Sequence, residues 1–202
     1  MHALHRCFPL LLSALLASPA FAAELQGADD YWRVSTLLES QAMSATGEPL
    51  GDVEDIVFGG NGDIYAVLVN RDPATVTEDS EPVEDGTRRG IYEEVFMARF
   101  EGAKFDAREN RLHLADMARR IAGDGSEPPP VGRYHASHVM GVPVNLADDE
   151  RFGKVADILI RPGTTRAHAI VVEAGIFNNK EYFLPPEFSA LDRDAREMNF
   201  AV

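Results

Sequence analysis

Two aspartates set among apolar strand residues are the first candidates for chemistry. Asp55 lies in Gly51-Asp52-Val53-Glu54-Asp55-Ile56, and Asp157 lies in Gly153-Lys154-Val155-Ala156-Asp157-Ile158. A carboxylate so placed can ligate a metal, carry a proton, or accept hydrogen bonds from nearby backbone N–H groups. The same residue recurs at the same place 102 positions on, which favours the last role: Gly51, Asp55, Gly153 and Asp157 read as a structural motif used twice. His135 and His138 stand three apart. On a helix such a pair shares a face and suits zinc. The stretch reads instead as a strand, where odd spacing sends side chains to opposite faces. Gly59-Gly60-Asn61-Gly62-Asp63 looks like a calcium-binding glycine repeat, but Ile64 stands where that pattern needs Asp, so it is read as a hairpin turn. There is no Gly-x-Ser-x-Gly elbow and no phosphate-cradling glycine loop before a helix. The expectation is no catalytic residue, no metal site and no cofactor. Ile176-Phe177-Asn178-Asn179 is the candidate partner-binding stretch. It places two large apolar residues beside a polar pair at a loop tip, either as a docking knob or with Phe177 folded back on its own unit.

Those residues must be positioned by a chain of 202 residues, enough for one large domain or two small ones. Residues 1–22 form a secretory leader: Arg6, then an apolar run from Phe8 to Leu16, then the small-x-small step Ala20-Phe21-Ala22. The run is too short for a membrane span. The single cysteine, Cys7, falls inside this leader, so the mature chain is expected to hold together without disulfides or thiolate ligands. Loss of Arg6 takes the formal charge from −14 to −15. A surface so acidic repels phosphate backbones and anionic head groups, so nucleic acid is excluded as a partner and membrane insertion of the mature chain is not expected.

From Ser35 two copies run in step. Ser35 matches Ser137, Leu38 matches Met140, and Gly51 matches Gly153. One extra residue then enters the second turn, and Ala66 to Val69 matches Ala169 to Val172, 103 apart. Each copy carries the signals of an antiparallel hairpin: Leu50–Phe58 with Ile64–Asn70, and Phe152–Ile160 with His168–Glu173, joined by Gly/Asn and Pro-Gly turns. A third strand is predicted at Gly90–Phe96 and Lys180–Leu184. One helical turn is expected at Ala98–Phe100 and another at Pro185–Phe188. Short closing strands are expected at Arg111–Leu114 and Glu197–Phe200, and a brief helix at Asp116–Ile121. The unit boundaries are 31–121 and 134–202, with a Gly/Pro linker at 122–133. The insertion 71–89 carries Glu78, Asp79, Glu81, Glu84 and Asp85 without EF-hand spacing. It is read as a solvated acidic loop.

The repeated Gly-x-Val-x-Asp-hydrophobic core, the openings Ser35-Thr36-Leu37-Leu38 and Ser137-His138-Val139-Met140, and the apolar-Pro step Leu184-Pro185 resemble the PRC-barrel family, occurring twice. The resemblance spans roughly 33–116 and 134–202. The first copy departs from it at Glu39, where the second has Gly141, and at Ala98, taken to match Pro185. The resemblance implies a mainly β fold of two small, partly open antiparallel barrels, each with its own interior. It also implies a binding or assembly module rather than an enzyme. The functional expectation is a periplasmic, non-catalytic binding or scaffold protein that docks a protein partner or a membrane-associated complex. The alternatives are a cation-responsive or envelope-stress protein acting through the acidic loop, or, at greater distance, a hydrolase with a site between the units.

Overall fold

The computed structural model describes residues 30–71, 94–115, 117–120, 132–146, 150–175 and 180–200. The expected leader, most of the stretch 71–89, most of the expected linker and residues 176–179 lie outside the described residues.

The first copy runs β1 (Trp32–Arg33), α1 (Val34–Leu38), β2 (Gln41–Ser44), β3 (Pro49–Gly59), β4 (Ile64–Arg71), β5 (Glu94–Ala98), β6 (Lys104–Asp106), β7 (Arg111–Leu114) and β8 (Met117–Arg120). The second repeats this order with β9 (Arg133–His135), α2 (Ala136–Val139), β10 (Pro143–Leu146), β11 (Glu150–Ile160), β12 (Ala167–Ala174) and β13 (Lys180–Leu184). A 3-10 turn at Phe188–Ala190 leads into β14 (Leu191–Asp192) and β15 (Glu197–Asn199). The architecture is mainly β. One sheet has the order β6-β7-β2-β3-β4-β5-β8 and the other β13-β12-β11-β10-β15-β14, and neither path returns to its start.

Each sheet also holds one strand from the other copy. β9 pairs antiparallel with β3, setting His135 opposite Val57 and Tyr134 opposite Phe58. β1 pairs with β11 in the equivalent register, Arg33 opposite Leu159 and Trp32 opposite Ile160. The entry strands are therefore exchanged reciprocally. The tips of the two main hairpins also meet: Ile64 N–H donates to Thr165 O and Ala167 N–H to Gly62 O, both at 2.8 Å.

The apolar interior corrects the expectation of two separate ones. A single buried cluster takes Val34, Ile56 and Phe58 from the first copy and Val139, Ile158 and Phe188 from the second. Phe58 and Phe188 stack across the seam with centroids 4.7 Å apart. The β-branched residues of β3 and β11 alternate into this cluster, each burial contributing about 1.5–3 kcal/mol.

Local readings differ at four places. The stretch at His135–Val139, read as a strand, turns into a short helix, as does Arg33–Leu38 in the first copy. Ala98 closes β5, and Arg99 and Phe100 form no helical turn. The register sets Ala98 opposite Val67, as Leu184 is opposite Ile170, so Ala98 corresponds to Leu184 and not to Pro185. The expected helix near Asp116–Ile121 is a strand at Met117–Arg120 that pairs with β5.

Fragments 23–126 and 127–202 each lack the strand that the other supplies. Expressed separately, they are expected to show no cooperative thermal transition by circular dichroism, and mixing should restore one. Two fragments that melt cooperatively on their own would contradict the exchange.

Candidate functional site

The exchanged segments are held by the two motif aspartates. Asp55 Oδ1 accepts from Ile56 N–H at 2.7 Å and from Ser137 N–H at 3.2 Å. Its Oδ2 accepts the Ser137 hydroxyl and lies 3.0 Å from His135 Nδ1. Asp157 repeats the arrangement, taking Ile158 N–H at 2.8 Å, Ser35 N–H at 3.1 Å, the Ser35 hydroxyl at 2.6 Å and Arg33 Nη1 at 3.4 Å. Neither α1 nor α2 has a side-chain cap from its own N-cap residue. One orphan N–H of each first turn, that of Ser35 or Ser137, is met from the other copy. A register shift between Val53 and Asp55, and likewise between Val155 and Asp157, marks where each strand bulges around these carboxylates.

The motif glycines have a steric cause. A Cβ on Gly51 would lie 2.1 Å from Asn70 O, and Gly51 has φ of 140°. A Cβ on Gly153 would lie 2.4 Å from Glu173 O. In both copies the carbonyl of β4 or β12 occupies the space a side chain would need.

Asp55 and Asp157 are each 3% exposed. Burial alone would raise the Asp55 pKa. The hydrogen bonds from His135 and Ser137, and the nearby imidazole charge, outweigh it and hold the carboxyl below its ordinary value. Arg33 is held above its ordinary value, first by its hydrogen bonds to Glu181, at 3.0 Å and 3.3 Å, which outweigh its desolvation. Asp55, His135 and Ser137 share the residue types of a hydrolase triad, but the Ser137 hydroxyl donates to Asp55 and not to the imidazole. That geometry caps a helix; a triad needs the serine on the histidine.

Beside this seam lies a cavity of about 200 Å³ lined by Arg133, Tyr134, His135, His138, Leu191, Arg193 and Arg196. His135 and His138 stack on each other with centroids 5.3 Å apart. This corrects the expectation of opposite faces, because the strand ends at His135 and the helix carries His138 round to the same side. Arg133 lies over the Tyr65 ring at 3.9 Å and Arg193 over Tyr134 at 4.7 Å. Arg193 also donates to Arg133 O. The arginines escaped the sequence reading because 193 and 196 lie some 60 residues from 133. No sequence signal marks them; in the structure Arg196 has φ of 55° at the turn position where the first copy has Asn110, φ 51°, a residue far more at ease there. Among the described residues no cluster of three or more His, Cys, Asp or Glu is arranged to hold a metal ion. The candidate partner-binding residues Ile176, Phe177, Asn178 and Asn179 lie outside the described residues.

Gly51→Ala should cost roughly 3 kcal/mol or more in urea unfolding, combining the clash with left-handed strain. Gly47→Ala, with φ of 85° but no atom within 4 Å of its Cβ, should cost about 1 kcal/mol. Equal effects would remove the steric account.

A carboxyl whose folded pKa lies below its unfolded one stabilises the fold above the ordinary value near about 4. That contribution is lost as pH falls through the lower folded value. Asp55→Asn should therefore cost roughly 2–3 kcal/mol at neutral pH, and its deficit should shrink on acidification through that window. A deficit independent of pH, followed by denaturant unfolding, would refute the electrostatic role of Asp55.

No protein-family model matches the chain, and the search of curated proteins finds no relative.

Proposed function

We propose that the protein is an exported, periplasmic binding or scaffold protein built of two PRC-barrel-like units in tandem, without catalysis of its own. The observation that carries this reading is the reciprocal capping by Asp55 and Asp157. The most chemically suggestive residues of the repeated motif are consumed in joining the two copies, which suits a rigid platform. The matching strand order and register of the two copies support the tandem reading, and the sequence motifs support the PRC-barrel resemblance. The partner is a protein or a membrane-associated complex, docked through sheet faces and the Ile176–Phe177 loop. The acidic surface disfavours nucleic acid. Among the described residues no helix is long and apolar enough to cross a membrane.

Affinity-tagged full chain, cross-linked in intact cells and recovered from envelope fractions, should return a recurrent partner. Replacing Ile176 and Phe177 together with Ser should reduce that recovery at least tenfold, as expected for loss of an apolar anchor worth about 1.4 kcal/mol or more. Failure to recover any partner across several growth conditions would overturn the reading.

A further inference from the structure

The two seams are built on one plan, and comparing them isolates a feature that the plan does not require. At the first seam the exchanged strand carries Arg33, whose charge is met by Asp157 and by Glu181 of β13. At the second seam the position of Arg33 is His135, and the register puts Val95 where the other sheet has Glu181. Among the described residues no carboxylate lines the cavity there, although it is walled by three arginines and two histidines. This happens in a chain with 33 acidic residues and 19 Lys and Arg. Bringing the Arg133 and Arg196 guanidinium groups into one concavity is repulsive unless something neutralises them. The nearby Asp192 is exposed and accepts through Oδ1 from the N–H groups of Asp194 and Ala195 in its own turn, and Asp55 is engaged by His135 and Ser137.

The guanidinium groups are also held in a telling way. Arg133 rests on the face of Tyr65, and neither Arg133 nor Arg196 has an ion-pair partner among the described residues. Stacking fixes a guanidinium plane while leaving its N–H edge able to donate. Arg196 occupies a left-handed backbone position that the first copy gives to Asn110. Keeping a long cationic residue there costs of order 1 kcal/mol. Strain and stacking converge on one place, where Arg133 and Arg196 meet no carboxylate among the described residues.

We propose that this cavity is a binding site for a small oxyanion, a compact molecule bearing phosphate or carboxylate groups. Arg133 and Arg196 grip the anion through charge-assisted hydrogen bonds, His138 contributes a further donor, and Tyr134 and Leu191 form the apolar part of the wall. A volume of about 200 Å³ admits a metabolite-sized anion and excludes a folded chain. The site is independent of partner docking, so each can fail without the other.

The test is calorimetric titration of the full chain in low-salt buffer with inorganic phosphate and, separately, with succinate. The expected result is saturable binding of at least one of them at one site per chain; which one binds identifies the anion. Arg133→Gln should weaken it roughly tenfold or more, the worth of one charge-assisted bond. Arg196→Asn installs the residue the equivalent turn already tolerates. It should weaken binding by a similar factor while keeping or raising the thermal midpoint, which separates lost binding from lost folding. Arg108→Gln, in the corresponding turn of the first copy, should bind as the parent does. Absence of saturable binding for both anions, unchanged affinity in Arg196→Asn, or equal weakening in Arg108→Gln would each overturn the proposal.

Discussion

Everything in this molecule depends on a buried carboxylate that caps a helix belonging to the other copy. An isolated ionised aspartate at 3% exposure would cost several kcal/mol in desolvation. It is tolerable only because four donors converge on it. Two of those donors, Ser137 N–H and Oγ for Asp55 and Ser35 N–H and Oγ for Asp157, arrive from 82 and 122 residues away in sequence. Each copy therefore contains an acceptor it cannot satisfy and donors it cannot use. Joining the copies settles both debts at once, and removing either copy would expose both.

The duplicated plan is kept where geometry demands it and varied where only charge is at stake. Glycine persists at 51 and 153 because a neighbouring carbonyl fills the side-chain space in both copies. Serine persists at 35 and 137 because the cap needs its hydroxyl. The residue two places before each serine is free to differ so long as it can donate to the aspartate. Arg33 does so and brings a charge that Glu181 must balance. His135 does so with a ring nitrogen and asks for no second carboxylate. The seam of Arg33 is thus neutralised, while beside the seam of His135 the charge of Arg133 and Arg196 faces a cavity.

The parts of this design written in neighbouring residues were legible in the sequence. Alternating β-branched residues bounded by Gly, Asn and Pro gave the main hairpins, and Lys180–Leu184 and Arg111–Leu114 fall where the pattern put them. The recurrence of Asp55 at Asp157 was enough to favour an acceptor role. Four things were not legible. The helices at Val34 and Ala136 are too short for a 3.6-residue period to show. The strand at Met117–Arg120 is stabilised by pairing with β5 rather than by its own composition. The arginine-lined cavity joins a strand and a hairpin turn that no local pattern connects. Strand exchange was the deepest omission, since a repeat looks the same in sequence whether each copy pairs with itself or with its twin.

The reason for exchange lies in strand lengths. β3 runs for eleven residues, but β2 has only four and covers its first half, ending at Asp52. On that side the amides and carbonyls of Val57 to Gly59 would form an open edge flanked by Val57 and Phe58, the kind of edge that invites pairing with another molecule. β9 occupies it. β11 outruns β10 in the same way, and β1 covers Leu159 and Ile160. A single copy has no spare strand for this edge, because its own entry strand must leave in the direction the helix cap dictates. Two copies in one chain solve the problem intramolecularly, at an effective concentration set by the linker. The duplication is thus a requirement of a half-covered long strand, and the seams it creates are the places where charge and shape remain open to specialisation.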